Sequence, residues 1–462
     1  MTATARPGEA VPVEARRSDA ATAGLTTLHD HPVATFGIAG GEHVGAIGPP
    51  EGAAIERAVR LGIELGVPVV GTISSSGADV IEGVASLHSW GRVARALADA
   101  SGVVPTVLIV TGPCVSGPAL LLGLADLVVM TADAFAYVSG PDTVRAFTGI
   151  AVDHRGLGGA PLHGRRSGVA TLVVEDAAEA ELAAGHLLDY LPANHLADPP
   201  RVVTGDPVDR DADRAAAVVP SRPNESYDVR EVLDDVLDEG SFLELRPDHA
   251  ANLVTGLGHL DGHPVGVIAN QPYHRAGTID IEGSEKAARF VQWCDCFNLP
   301  LVTFVDTPGF EPGKDLEWRG MIRHGAELVH AYAAATVPRL CVVLRKAYGG
   351  AYIVMDSKGL GNDWCGAWPT AEIAVMGAAP AVQVLHGRRL RELDDDARRA
   401  EQAALEADYD TRLSNPYAAS ERGFVDEVVT ASDTRRALAA VLHRLRTKQA
   451  VVSTTDHANT PL

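Results

Sequence analysis

Apolar positions along this chain fall into two kinds of run. Short, unbroken ones (VLIV at 107–110, LVTFV at 301–305, LCVVL at 340–344) lack the in–out alternation of a half-exposed strand. They are the pattern of strands covered on both faces, as in parallel sheets. Between them, apolar residues recur every three or four positions in AIERAVRLGIELG (54–66), HSWGRVARALADASG (88–102), SEKAARFVQWCDCFN (284–298) and MIRHGAELVHAYAAA (321–335). That spacing predicts amphipathic helices. Strand, turn, helix and strand in this order make βαβ units and an α/β fold. Two further helices are expected, a charged one over 392–413 and an amphipathic one over 433–449.

The pattern occurs twice. Pro68 precedes the Ser76–Gly77 turn by eight residues and Pro300 precedes Pro308–Gly309 by eight. Pro105 stands eleven residues before Ser116, and Pro338 eleven before Gly349. The chain therefore reads as a duplication. Between the halves, residues 197–230 are rich in Pro and Asp and carry no long apolar stripe, which places a boundary near Arg222. The expected organisation is a disordered arm over 1–24, a first domain over 25–222 and a second over 223–462.

Composition narrows the function. At 46% hydrophobic and 21% charged residues the chain is that of a soluble globular protein. A net charge of −21 argues against nucleic acid, which needs a basic face. It leaves room for an anionic ligand held by a few local cations and backbone amides. No stretch of about 18 apolar residues predicts a membrane span, and no signal-peptide layout is visible at the N-terminus, so a cytoplasmic location is expected. The five cysteines form no CxxC pair, and the 17 histidines do not cluster along the sequence, so no metal site is expected. Cys294 shares a helical stripe with Phe290, Val291 and Phe297 and reads as core.

The candidate chemistry lies in the small-residue turns, Ser76–Gly77–Ala78 with Ser116–Gly117 in one half and Gly349–Gly350 in the other. Two such residues at a strand-to-helix turn leave successive backbone N–H groups able to polarise one carbonyl oxygen, or simply allow close packing. GxSxG, HExxH, a Walker loop and GxGxxG after a strand are all missing. Paired oxyanion sites with no obvious side-chain base suggest that the base belongs to the substrate or a cofactor.

From about residue 45 onward the chain resembles the carboxyltransferase (β) subunits of biotin-dependent acyl-CoA carboxylases of the acetyl-/propionyl-CoA type. The resemblance is carried by ANQPYHRAGTIDIEGSEKAARF, LVTFVDTPGFEPGKD, VVLRKAYGGAYIVM, SYDVREVLDDVLDEGSFLEL, AWPTAEIAVMGA and the ending HANTPL. It implies a duplicated crotonase-like fold of ββα spirals, and an enzyme that moves a carboxyl group from carboxybiotin to the α-carbon of an acyl thioester. It also implies that Gly349–Gly350 serves biotin and Ser116–Gly117 the coenzyme A thioester. Tyr352 and Ile353 follow the biotin turn, with Ile353 shaping an acyl pocket. Arg165 and Arg166, in LGGAPLHGRRSGVA, would meet phosphates or form a solvent-exposed basic loop. The chain carries no ATP loop and no AMKM biotin-attachment motif. A biotin carboxylase with a biotin carrier (the α subunit) is therefore the implied partner. A hexamer is implied as well, of one chain or mixed with a paralogue.

The first half departs from the family pattern. Ser76 and Asp79 in SSGAD stand where SGGAR has glycine and arginine, and Pro118 removes a backbone N–H after Ser116–Gly117. Three readings follow. The leading one is an active carboxyltransferase with an unusual acceptor. The others are a half-competent subunit supporting a paralogue, and a decarboxylase of malonyl- or methylmalonyl-type thioesters.

Overall fold

The computed structural model describes residues 11–12, 18–222 and 224–448. Two compact units result. The first runs to Pro200 and includes Cys296–Asn298; the second takes Arg201–Asp295 and continues from Leu299. The division thus falls before the Arg222 boundary expected from composition. The segment 201–222 docks on the second core instead, through Ala212 and Ala215, which are fully buried there.

The strands of the first unit are β1 (Val11–Pro12), β2 (Ala21–Leu28), β3 (His31–Ile38), β4 (Val69–Ser75), β5 (Thr106–Val115), β6 (Leu127–Thr131), β7 (Phe135–Tyr137) and β8 (Leu172–Val174). Those of the second are β9 (Leu243–Leu245), β10 (Leu253–Leu260), β11 (His263–Asn270), β12 (Leu301–Thr307), β13 (Arg339–Tyr348), β14 (Trp364–Ala367), β15 (Glu372–Ala374) and β16 (Glu427–Val428). The order β1-β2-β3-β4-β5-β6-β8, with β7 on β5, is matched by β9-β10-β11-β12-β13-β14-β16, with β15 on β13. Two antiparallel pairings open each sheet and every later strand pairing is parallel. This is the α/β duplication read from the sequence. Strand β2 begins at Ala21 and pairs with Val11–Pro12, so the arm expected over 1–24 is corrected for its last residues. The remainder of that arm, residues 1–10 and 13–17, and the HANTPL ending lie outside the described residues.

The uninterrupted runs lie at sheet centres. All seven residues of β12 are buried, because helices cover both faces. Helices Pro49–Leu65 and Ile281–Cys296 cover equivalent places, and each ends at a left-handed residue, Gly66 or Asn298. The stripe Phe290, Val291, Cys294 and Phe297 is buried as expected. In the first unit Phe36 lies across Gly71 of β4, where an added Cβ would stand 2.1 Å from the ring. Gly71→Ala should therefore destabilise the first unit by roughly 1–3 kcal/mol through overpacking. Thermal denaturation should show that loss, partly recovered when Phe36→Leu is added; full stability of the single variant would refute the packing argument.

Candidate functional site

The same irregularity ends the central strands of both sheets. The β4–β5 register shifts between Ile73 and Ser75, and the β12–β13 register shifts between Val305 and Thr307. Such a shift re-aims the strand ends beyond it. The turns that follow are held by one repeated set of bonds. Ile47 donates its N–H to Gly77 O (2.8 Å) and accepts from Asp79 N–H (3.2 Å). At the equivalent place, 232 residues on, Ile279 N–H donates to Gly309 O (3.2 Å) and Ile279 O accepts from Glu311 N–H (2.9 Å). The hydroxyls of Ser75 and Thr307 accept from Gly77 and Gly309 N–H. These glycines have φ of +113° and +147°, which side chains seldom adopt.

This bonding decides which amides are free. Ser76 N–H is taken by Val44 O and Gly77 N–H by Ser75, while Ala78 N–H lies in the middle of the Ile47 bridge with no acceptor of its own. Ser116 N–H donates to Tyr137 O at 2.9 Å, so Ser116 and Gly117 do not offer two successive donors as expected. β7 runs beside β5 and consumes the first of them. Gly117 opens the short helix Gly117–Gly123, where its N–H precedes any helical carbonyl, and Pro118 contributes none. The two turns are neighbours, since a Cβ on Gly77 would lie 3.1 Å from Ser116 Cβ. The first unit thus presents Ala78 and Gly117 N–H. By the same bonding the second presents Phe310 N–H and the first-turn amides of helix Gly349–Val354, with the Phe310 ring 3.6 Å from where a Gly350 Cβ would stand.

Sequence reasoning missed Trp90. A Cβ on Gly117 would be 2.9 Å from its indole, and its Nε1 is buried without a hydrogen-bond partner beside the turn. A tryptophan within an amphipathic helix gives no sign of this. Also missed was the buried network under the second turn. Arg345 Nε lies 3.0 Å from Asp306 Oδ2, which also accepts from Tyr227 Oη at 2.9 Å, and Asp306 Oδ1 accepts from Lys346 N–H at 3.1 Å. Burial holds the Asp306 carboxyl above the ordinary range while Arg345 opposes it. Tyr352 is buried behind the turn and Ile353 is 42% exposed beside it.

The segment with Arg165 and Arg166 hangs from β7, the strand that takes Ser116 N–H. Tyr137 Oη lies 2.7 Å from His154 Nδ1, and His163 Nε2 2.8 Å from Ala136 O. Both arginines are exposed and make no ion pair among the described residues. Asp79 does not point its charge outward. Its side chain is 13% exposed, bonded to His43 Nδ1 at 2.7 Å and accepting from Ile81 N–H. The counterparts in the second unit are Arg275 and Glu311, 2.8 Å apart, so Asp79 keeps the turn-holding acid of the duplicated unit. Histidines that are dispersed along the sequence do meet in space: His29, His186 and Asp189 present ligand atoms within 4.8 Å of one another, against the expectation of no metal cluster.

The hydrogen bond to Asp79 holds His43 above the ordinary histidine value, and the bond to His43 holds Asp79 below the ordinary carboxylate value. The pair is therefore intact in mildly acidic solution. It is lost as rising pH deprotonates His43 and as falling pH protonates Asp79. An NMR titration should find the His43 ring elevated, and Asp79→Asn should bring it down; an unchanged midpoint would remove the pair from the turn.

Residues 34–460 match the carboxyl transferase domain family. The propionyl-CoA carboxylase carboxyltransferase subunit of Haloferax mediterranei is 47% identical over 90% of this chain and 81% of its own. The propionyl-CoA carboxylase beta chain of Saccharopolyspora erythraea is 43% identical over 90% and 79%. Among solved structures, the transcarboxylase 12S hexamer with methylmalonyl-coenzyme A and methylmalonic acid bound superposes with a TM-score of 0.93. Its identity is 38%, over 96% of this chain and 85% of that one.

Proposed function

The chain belongs to the carboxyl transferase family and is a carboxyltransferase of crotonase-like fold, and on that premise we propose that its acceptor is the coenzyme A thioester of a short acyl acid. The observation that carries this reading is the pair of equivalent turns, each with a free backbone N–H on either side of it. In the transfer a C–H bond at the acyl α-carbon breaks, a C–C bond to the incoming carboxyl carbon forms, and negative charge grows on the thioester oxygen. Ala78 and Gly117 N–H stabilise that oxygen, and the buried Trp90 Nε1–H offers a third donor beside it. Carboxybiotin, carried by a partner subunit, supplies the carboxyl group as its ureido N–C bond breaks, and the ureido group so freed takes the proton released from the α-carbon.

The Phe310–Gly350 turn suits a ureido carbonyl, because it offers backbone donors while its own acid, Glu311, is paired with Arg275 at 2.8 Å. The Asp306–Arg345–Tyr227 network beneath holds β12 and β13 in place, so these donors are fixed before the reaction. Ile353 gives the acyl group an aliphatic wall. Arg165 and Arg166 give the phosphates cations in a chain of net charge −21. Pairing of Asp79 with His43 removes the objection that an acid at this turn repels a polyphosphate. The partner is a biotin carboxylase with a biotin carrier. A hexamer accords with the exposed apolar side chains Val80, Ile81, Leu87, Trp318 and Ile322.

The test supplies the full chain with a carboxylated biotin carrier and acetyl- or propionyl-CoA, and follows labelled carboxyl into acid-stable product. Incorporation with either thioester is expected. No incorporation with any thioester, or activity only after adding a second carboxyltransferase, would sink the reading in favour of a supporting subunit. Release of CO2 from methylmalonyl-CoA with no acceptor present would sink it in favour of a decarboxylase.

Gly350→Pro removes one donor at a helix position where proline is tolerated. It should lower kcat by about 10²–10³-fold, the cost of one oxyanion donor, with the melting temperature little changed. Near-normal kcat would exclude the Gly350 amide from the reaction.

A further inference from the structure

At the other end of the first sheet, the β2–β3 hairpin is closed by His29 and Asp30 with φ of +45° and +65°. These are the two left-handed positions of a type I′ turn, which favours Asn–Gly or Asp–Gly. The equivalent hairpin of the second unit uses Asp261–Gly262 there, at φ of +53° and +72°. The first unit thus keeps two side chains where the duplicated fold shows an easier solution. Helix Ala177–Leu188 approaches the same spot with a second concession. Gly185 stands in its last turn, and a Cβ there would lie 2.6 Å from the His29 ring. Glycine costs about 1 kcal/mol in a helix, and here it admits an imidazole.

What these concessions bring together is a ligand set. His29 Nδ1 lies 3.4 Å from Asp189 Oδ2, and the His29 and His186 rings are edge-on at 4.9 Å between centroids. His31 Nε2 lies 2.9 Å from the other oxygen, Asp189 Oδ1, where an N–H would orient a metal-bound carboxylate. The helix ends here, so its last carbonyls add negative potential that favours a cation. Two imidazoles and a carboxylate are the donors of zinc and its first-row neighbours, rather than of calcium or magnesium.

We propose that His29, His186 and Asp189 form a divalent transition-metal site of the zinc class, with His31 as the orienting partner of Asp189 and solvent completing the coordination. The site clips the β2–β3 hairpin to the end of helix Ala177–Leu188. β3 runs parallel to β4 and starts at this hairpin, whereas the Ser76–Ala78 turn follows the far end of β4. The metal is therefore structural and stands apart from the carboxyltransferase turns.

The test uses the untagged full chain, stripped with chelator and titrated with Zn2+ by calorimetry. One equivalent should bind at micromolar strength or tighter. His186→Ala and His29→Asn should each weaken binding by at least about tenfold, the range for lost metal-site contacts. The asparagine suits the left-handed turn, so the metal-free His29→Asn variant should melt no lower than the metal-free parent. Zn2+ should raise the melting temperature of the parent alone, and Co2+ should give a ligand-field band in the parent that both variants lack. Absence of binding, or equal binding by parent and both variants, would overturn the site. Carboxyl transfer should survive chelation, so failure of the metal site and failure of the proposed activity are read separately.

Discussion

The amide of a single residue in each unit holds the functional geometry together. Ile47 and Ile279 each bridge the glycine turn with a donor and an acceptor, and so fix the residue between them with its N–H pointing away from the bridge. Both isoleucines are fully buried, which leaves the bridge no water to compete with. A turn fixed in this way can present a donor to a carbonyl without rearranging when charge develops. The register shift of the strands beneath it, and the glycines at positive φ, serve the same end.

The two units share that backbone device but support it differently. The second sets Asp306 against Arg345 inside the sheet, with Tyr227 closing the third side. A buried pair of this kind adds little net stability, since desolvation offsets attraction, but it fixes geometry strictly. The first unit has Ser74 and Gly112 at the equivalent places, and a Cβ on Gly112 would press on the Ser74 hydroxyl. Its turn relies on His43 and Asp79 where the second uses Arg275 with Glu311. The second turn is therefore braced by an arginine–glutamate pair, and the first by a histidine that its hydrogen bond to Asp79 holds above the ordinary histidine value.

The sequence by itself determined the class of fold, the duplication and the positions of the four small-residue turns that end the central strands, because these depend on local patterns. Unbroken apolar runs demand cover on both faces, and Pro–x–Gly offsets repeat whatever the chain packs against. It also placed Cys294 in the core and named Gly117 and Gly350. Only the tertiary structure decided which amides remain free, because Ser116 N–H is consumed by Tyr137, a strand partner that no local pattern reveals. It likewise turned Asp79 from a misplaced charge into half of an ion pair with a residue 36 positions away. His29 and His186 are separated by 157 residues and meet only because the fold brings the hairpin turn against the end of the helix. Hydrogen-bond partners and ligand sets are set by distances in space, and sequence spacing carries that information only within a single element.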